Sequence, residues 1–300
     1  MPSFRETVKY VRELKQSEYK FLKAVEYCMH YYDKVPLEKL VTRTKFSYEY
    51  VKEIISRLSK KGFIMYFEQP YESVTLLTSG ADLLALKILT EKGILSGVGR
   101  QIGIGKESDI YEAITPENKQ VVLKFFRLGR ISFRDVARKR DFAGREGKTK
   151  WLLRNYRAAL KEYTLLRRLY DLGISVPEPI YYIMHVVVMS ELRGILLHDL
   201  KYCDNPRDLL EEIIKEISKT WQAGYVNGDL SEYNIFITYE GKPIIIDWPQ
   251  WVSRESPLAE YLLSRDVSYV VKFFIKKFNI PPAEIKEILM KYELDRYLAL

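Results

Sequence analysis

The sequence predicts an α+β fold in two parts, a small helical domain followed by a larger domain in which strands precede helices. Within residues 1–92, apolar residues recur at helical spacing in three segments, and a strand-like pair and a further helical segment follow. Beyond residue 92, short apolar runs separated by turn residues come before most of the long helical segments. That second order is typical of an α+β domain with two unequal lobes.

The first domain, residues 1–92, has the element order of a winged helix, which is a variant of the helix-turn-helix motif. Its third helix is well delimited, because Ser47 can cap its start and Gly62 can end it. The predicted elements are helices at about 17–32, from Pro36 to about 41, 48–61 and 79–92, and a hairpin that turns at Gln69–Pro70.

The second domain, residues 93–300, is predicted to have an N-terminal lobe at about 93–189 and a C-terminal lobe at about 193–300. Turn residues and helix-starting prolines delimit its elements. These are strands around a turn at 116–118, a helix at about 151–172, strands around His185, a helix from Pro206 to Gly224, a hairpin turning at Glu240–Gly241, and closing helices separated at Pro281–Pro282.

Composition indicates a globular protein with an anionic partner. Hydrophobic residues make up 47% of the 300-residue chain, and the formal net charge is +8. A nucleotide, a nucleic acid or an acidic membrane face would each fit that charge. Cys28 and Cys203 are too few for a disulfide framework or a zinc site. The longest apolar run, 180–189, is too short to span a bilayer, so we expect a cytoplasmic protein.

The strongest chemical signal is the segment NGDLSEYNIF followed by IIIDW. Asp229 and Asn234 have the spacing D-x-x-x-x-N, and Asp247 follows an apolar strand. Phosphoryl transfer needs a carboxylate that orients or deprotonates the attacking oxygen, and oxygen ligands for Mg²⁺. Asp229 fits the first task, whereas Asn234 and Asp247 fit the second. Each residue alone could be a turn former, but their order behind a long helix favours the catalytic interpretation.

A glycine-containing turn precedes these residues and could approach phosphates. It consists of Gly105, Lys106, Glu107 and Ser108, where two nearby glycines permit close backbone approach and Ser108 offers a hydroxyl. A plain hairpin turn explains the same pattern equally well.

Lys124 lies in the strand VVLKFF, where alternation places it on one face with Val122 and Phe126. A lysine in such apolar surroundings needs an anion, either a phosphate or a carboxylate. Glu162, in the helix that follows, is the expected ion-pair partner, although it could instead pair with surface arginines.

The segment Met189–Leu192 ends an apolar strand shortly before Gly194. By analogy with protein kinases, a strand leaving one lobe for the other offers backbone groups to an adenine edge. The expected contacts are the carbonyl of Ser190 and the amide of Leu192, with Met189 beside them.

These motifs together resemble the RIO family of atypical protein kinases, and most closely its second, winged-helix-bearing subfamily. IGKESDIY resembles that subfamily's phosphate-binding loop, NGDLSEYN its catalytic loop, and IIIDWPQ its metal-binding loop. Asn227 stands where histidine is common in the family, and Trp248 where phenylalanine is common. The chain has no long extension after its last helices, so it looks like an archaeal-type version.

The resemblance implies a reduced two-lobe kinase fold with ATP and Mg²⁺ (Mn²⁺ as a substitute) in its cleft, and a role in maturation of the small ribosomal subunit. It also implies that Asp247 itself accepts the phosphoryl group as an aspartyl phosphate. The sequence after Asp247 has no A-P-E segment or phosphorylatable activation loop, so routine phosphorylation of many peptides is not expected. ATP hydrolysis on a pre-ribosomal particle is the favoured activity.

Two other classes of protein share parts of this pattern. Small-molecule kinases of the aminoglycoside or choline type use the same D-x-x-x-x-N spacing and a later aspartate, but they do not need a winged helix. A nucleic-acid-binding scaffold with an inactive kinase fold would not need to retain Lys124, Asp229, Asn234 and Asp247. The sequence does not indicate an oligomeric state.

Two regions are predicted to contact ribosomal RNA. One is the basic segment between Arg127 and Lys161, which could equally be a solvated run of charge. The other is the third winged-helix helix, at about 48–61. The tyrosines and cations that this helix offers are Tyr48, Tyr50, Lys52, Arg57, Lys60 and Lys61. A winged helix that docks on protein would show the same pattern.

Overall fold

The computed structural model describes residues 1–129 and 149–298 of the chain. Two compact units are present, one formed by residues 1–160 with 181–188, the other by residues 161–180 with 189–300. The helices of the described residues are α1 (Phe4–Glu13), α2 (Gln16–Cys28), α3 (Leu37–Thr44), α4 (Tyr48–Lys60), α5 (Thr78–Glu91), α6 (Thr149–Asp171), α7 (Pro206–Gln222), α8 (Ala259–Phe278) and α9 (Pro282–Lys291).

The predicted winged-helix elements are confirmed in α2 to α5. Three short strands form the wing in the order β1-β3-β2, namely β1 (Val35–Pro36), β2 (Ile64–Phe67) and β3 (Ser73–Leu76). Ser47 caps α4 as expected, because its hydroxyl accepts the backbone N–H of Tyr50 at 3.2 Å. Helix α5 packs closely on the wing, since a Cβ on Gly80 would lie 2.0 Å from the carbonyl oxygen of Phe63.

Helix α1 was not predicted from hydrophobic spacing. A capping box begins it: the backbone N–H of Ser3 donates to Glu6 Oε2 at 2.7 Å, and Glu6 N–H donates to Ser3 Oγ at 3.3 Å. The helix carries Phe4, whose ring stacks on that of Tyr111 with centroids 3.7 Å apart. The motif S-x-x-E was therefore a readable start signal in the sequence.

A five-stranded sheet has the order β4-β5-β6-β8-β7, and most of its residues belong to the first unit. The turn predicted at 116–118 is confirmed between β5 and β6, with Asn118 in the left-handed region at φ 61°. The β5–β6 register places Ser108 opposite Phe126 and Ile110 opposite Lys124. The strands are β4 (Gly97–Ile104), β5 (Ser108–Ile114), β6 (Gln120–Phe126), β7 (Pro179–Ile183) and β8 (Val186–Ser190).

The second unit packs α7, α8 and α9 around an apolar core that includes Trp248 and Phe274, neither of which is exposed. The hairpin predicted to turn at Glu240–Gly241 is confirmed as β11–β12, and β9 extends it on the other edge. A two-stranded pair, β10–β13, completes the unit. The strands are β9 (Gly194–Leu196), β10 (Tyr225–Val226), β11 (Ile235–Thr238), β12 (Pro243–Ile245) and β13 (Val252–Ser253).

Candidate active site

The loop between β10 and β11 carries Asp229 and Asn234. The side-chain nitrogen Nδ2 of Asn234 donates to the backbone carbonyl oxygen of Asp229 at 2.7 Å. The carbonyl oxygen of Asn234 accepts the backbone N–H of Ile246 at 2.9 Å. Because Ile246 directly precedes Asp247, these two bonds bring the three residues of the predicted catalytic motif into one place in the second unit.

Asp247 follows β12 in the left-handed backbone region, at φ 66°. The side chain of Asn227 connects Asp247 to the loop that carries Asp229. Its Nδ2 donates to the backbone carbonyl of Asp247 at 3.0 Å, and its Oδ1 accepts the backbone N–H of Asp229 at 3.1 Å. Trp248 is fully buried beside them, and its indole N–H donates to the Ile245 carbonyl at 3.1 Å. The Asn227 side chain therefore ties the backbone of Asp229 to that of Asp247.

A buried carboxylate that the sequence analysis missed supports this loop from α8. Asp266 is 2% exposed, and its two oxygens accept the N–H groups of Gly228 at 2.8 Å and of Leu230 at 3.2 Å. Those residues flank Asp229, so Asp266 fixes the backbone on both sides of the predicted catalytic carboxylate. An acid on the apolar face of a helix, next to Val267, was the available signal in the sequence.

The carboxylates of this loop affect one another electrostatically. Burial raises the pKa of Asp229, Arg265 opposes that rise, and the neighbouring charge of Asp247 adds to it. Because the charge of Asp247 disfavours the ionised form of Asp229, a cation bound near them would favour it.

The donor set here suits Mg²⁺, which prefers oxygen ligands. The amide nitrogen of Asn234 is engaged by backbone, which leaves its oxygen as the ligating atom, and Asp247 supplies a carboxylate. Within the described residues, no group of three or more His, Cys, Asp or Glu side chains converges as a transition-metal site would require.

Asp266 should give the protein a measurable pH dependence. Burial raises its pKa to about 6, above the ordinary value for aspartate, so the folded state binds its proton more tightly than the unfolded state does. Stability from this group is complete below about pH 4 and falls by roughly 3 kcal/mol as pH rises to about 6. The free energy of unfolding in urea can be measured for wild type and for Asp266→Asn at pH 4.5 and at pH 7. We expect wild type to lose this stability between the two pH values and Asp266→Asn to lack the loss. Parallel pH profiles of the two proteins would contradict the assignment.

The predicted phosphate-binding loop lies in the first unit, between β4 and β5. Gly105 N–H donates to the Ser108 carbonyl at 2.8 Å and closes the turn, while Lys106 and Glu107 are exposed. Lys124, two residues before the partner of Ser108 in β6, is 5% exposed, and its ammonium lies 5.2 Å from the ring centre of Phe126. The predicted apolar surroundings of Lys124 are thus confirmed.

A buried charge network supports the base of this loop. The guanidinium of Arg127 makes two bonds of 2.8 Å to the carboxylate of Asp82 in α5, and its Nε donates to Asp109 Oδ2 at 2.9 Å. His185 Nε2 lies 2.7 Å from Asp82 Oδ1. The N–H of Arg127 donates to the Glu107 carbonyl at 2.6 Å, so the network reaches the loop itself.

This network corrects the sequence analysis, which placed Arg127 at the start of an RNA-contacting basic segment. Arg127 is 7% exposed and ion-paired, and from Thr149 onward that segment is the helix α6. Residues 130–148, which hold most of the cations of the segment, lie outside the described residues.

The remaining predicted residues lie in the second unit. Glu162 is 2% exposed in α6. Met189 is buried, and Ser190 pairs with Glu178 through both its N–H, at 2.9 Å, and its hydroxyl, at 3.1 Å. Leu192 follows in irregular backbone. Three points stay predictions. They are the pairing of Lys124 with Glu162, the contacts to adenine, and the action of the Gly105–Ser108 loop and the Asp229 loop on the same nucleotide.

Comparison with known proteins gives two family matches. The RIO domain family matches residues 109–288, and the family described as the Rio2 N-terminal domain matches residues 11–92. None of the helices in the described part of the chain is both long and apolar enough to cross a membrane.

Individual relatives and structures agree with these matches. The chain is 37% identical to a serine/threonine-protein kinase rio2 of Dictyostelium discoideum over 90% of its own length, and spans 52% of that relative. It is 34% identical to the RIO-type serine/threonine-protein kinase Rio2 of Methanocaldococcus jannaschii, covering 86% of this chain and 96% of the other. The Rio2 kinase–ADP/Mg²⁺–phosphoaspartate complex of Chaetomium thermophilum superposes with a TM-score of 0.83 at 31% identity, covering 97% of this chain and 88% of that one.

Proposed function

This chain belongs to the RIO family of atypical serine/threonine kinases and carries the Rio2 N-terminal domain, and from that premise we propose that it is an ATP- and Mg²⁺-dependent phosphotransferase that acts as an ATPase. The observation that carries the proposal is the bonded group of Asp229, Asn234 and Asp247 in the second unit. The Chaetomium relative, which binds ADP and Mg²⁺ and contains a phosphoaspartate, supports the same cofactors here.

The proposed reaction has two steps. A carboxylate oxygen of Asp247 attacks the γ-phosphorus of ATP, the bond from that phosphorus to the bridging oxygen breaks, and ADP leaves. Water then hydrolyses the aspartyl phosphate, with Asp229 accepting a proton from that water, and phosphate is released. Asn234 and Asp247 hold Mg²⁺, which when bound neutralises charge on the phosphates.

Residues outside the group of Asp229, Asn234 and Asp247 supply binding rather than chemistry in this proposal. The loop Gly105–Ser108 places backbone N–H groups against the phosphates, and Lys124 offers them a buried cation. Met189, Ser190 and Leu192 contact the adenine. Asp247 adopts a left-handed backbone conformation that is uncommon outside glycine, asparagine and aspartate, and such conformations concentrate at functional sites.

We propose the precursor of the small ribosomal subunit and its RNA, in the cytoplasm, as the partner. The formal charge of +8 and the winged helix favour a nucleic-acid particle over a small-molecule substrate. The sequence WPQWVSRESPLAEYLL after Asp247 has no A-P-E segment to hold a peptide substrate, which favours hydrolysis coupled to a step on the particle.

The test is ATP turnover by the full chain alone, with small-subunit precursors, and with large subunits. We expect low basal turnover, stimulation of about tenfold or more by small-subunit precursors, and none by large subunits. Turnover that depends instead on a free amino alcohol or aminoglycoside would contradict the ribosomal proposal and identify a small-molecule kinase.

A further inference from the structure

The winged helix uses several cations of α4 for its own internal contacts. Arg57 Nε donates to the buried carboxylate of Glu18 at 3.0 Å, and Lys52 bonds both Glu72 and the hydroxyl of Tyr66. Tyr50 donates its hydroxyl hydrogen to Ser17 at 2.9 Å. Lys60 and Lys61 remain exposed near the end of the helix. The helix that reads nucleic acid in many winged-helix proteins therefore offers few open cations here.

A different surface of the same domain combines exposed cations with exposed aromatic rings. On α2 it carries Lys20, Lys23 and Tyr27 at helical spacing, with Tyr31 in the turn that follows, and on α3 it carries Lys39 and Arg43, one turn apart. We call these six residues the α2–α3 face. Tyr31 is 72% exposed and Tyr27 is 43% exposed, so both rings can be covered by a partner.

Two adjoining concavities shape this face. One, of about 700 Å³, has Lys20, Lys23, Tyr27 and Arg43 on its walls and an apolar floor that includes Leu84. The other, of about 380 Å³, is lined by Tyr27, Tyr31, Lys39 and Arg43 among others. Tyr27 and Arg43 belong to both, so the concavities share a wall.

The shared wall is already organised as a stacking surface. The guanidinium carbon of Arg43 lies 3.3 Å from the ring centre of Tyr27, and the rings of Tyr27 and Tyr31 are 5.8 Å apart. Glu26 is the acid among the described residues that line the two concavities, and His30 Nε2 lies 3.2 Å from its carboxylate. The face thus presents cations and flat rings with little competing negative charge.

We propose that the α2–α3 face binds single-stranded RNA, with phosphates on its lysines and unpaired bases stacked on Tyr31 and on the Arg43–Tyr27 pair. Aromatic rings and guanidinium planes stack on bases that are not paired, and a cationic groove follows the backbone. A duplex would bury its base faces and leave the tyrosines unused. The inference rests on the proposed RNA partner and is independent of the catalytic residues.

The test measures binding of the full chain, without ATP, to a fluorescein-labelled single-stranded RNA of about 12 nucleotides by anisotropy. We expect the double variant Lys39→Glu, Arg43→Glu to bind about tenfold or more weakly, because it removes a phosphate contact at Lys39 and a stacking surface at Arg43. The slope of log affinity against log salt should fall by about 0.7, the contribution of the one lost phosphate contact. Tyr31→Ala should weaken binding about fivefold or more, because one stacked base is lost.

Matched controls lie on α4. The double variant Lys60→Glu, Lys61→Glu makes the same change in net charge, and Tyr48→Ala removes another exposed ring, which is 42% exposed. Both should bind nearly as wild type does. Equal weakening by the α4 variants, or binding of a duplex as tight as that of the single strand, would overturn the proposal.

Two further measurements distinguish RNA binding by this face from the catalytic proposal and from docking of a protein. Basal ATP turnover of the α2–α3 variants, measured without ribosomal particles, should equal that of wild type, so a failure of the catalytic proposal leaves the RNA measurement intact. If these variants lose affinity for small-subunit particles while none of the proteins binds RNA, the face docks a protein and the RNA assignment is wrong.

Discussion

Replacing Asp247 with asparagine should reduce ATP cleavage by about a thousandfold or more, because one carboxylate serves both as a metal ligand and as the phosphoryl acceptor. Asparagine is the suitable replacement, since it tolerates the left-handed backbone at φ 66° that other residues adopt at a cost. The variant should therefore keep the wild-type fold. Single-turnover cleavage of ATP labelled at the γ-phosphate measures the loss. Asp171→Asn, at an exposed carboxylate at the end of α6, is the control and should cleave ATP normally.

The chemical nature of the label decides the mechanism. In wild type we expect covalent label that is released by hydroxylamine, as an acyl phosphate is. Asp229→Asn should let that label form but slow its hydrolysis, so the labelled protein accumulates. Hydroxylamine-resistant, acid-stable label in wild type would show that a hydroxyl side chain is the acceptor and that Asp247 only binds metal.

Replacing Arg127 with methionine should lower the free energy of unfolding by about 3–5 kcal/mol, because it leaves Asp82 and Asp109 buried without their shared cation. Asp82 and Asp109 are 5% and 3% exposed, so water cannot substitute for the guanidinium. Although burial opposes it, the charge of Arg127 and the bond to His185 hold the pKa of Asp82 below its ordinary value, so the carboxylate stays ionised. For a protein of this size the loss corresponds to roughly 10 °C in Tm.

Lys87 provides the comparison for that experiment. It lies on α5 as Asp82 does, and its ammonium is 3.6 Å from Glu91 in a partly exposed pair. Exposed pairs contribute about 0.5 kcal/mol or less, so Lys87→Met should leave Tm almost unchanged. Similar Tm values for the Arg127 and Lys87 variants would show that the buried network contributes no more than a surface pair.

The sequence predicted most of the secondary structure because local signals define it. Pro206 at a helix start, Ser47 as a cap and the Glu240–Gly241 turn all act within a few residues of where they stand. The short strands β1, β9, β10 and β13 were not predicted, since two or three residues carry no measurable alternation. Helix α1 was missed because its apolar face is narrow, although its capping box was readable.

The site was predictable only where its residues are close in the chain. Asp229 and Asn234 are recognised by their spacing, and Asp247 by its place after a strand. Asp266 lies 36 residues beyond the Leu230 N–H that it accepts, and Arg127 lies 45 residues beyond Asp82. Nothing in local sequence pairs such residues, because their contact depends on how distant elements pack. For the same reason the sequence did not predict the ion pair of Arg57 in α4 with Glu18, which lies 39 residues earlier in the chain.

The Arg127 network also means that the two halves of the first unit are not separable modules. Family matches divide the chain between residues 92 and 109, yet Asp82 lies on one side of that division and its partner Arg127 on the other. The stacking of Phe4 on Tyr111 crosses the same division. A fragment that begins at residue 93 would carry Arg127 and Asp109 without Asp82. It would also lack Phe4, so the ring of Tyr111 would be uncovered. Truncation at the family boundary should therefore yield aggregation-prone material, and grafting this winged helix onto another catalytic domain would require transplanting the ion-paired residues as a set.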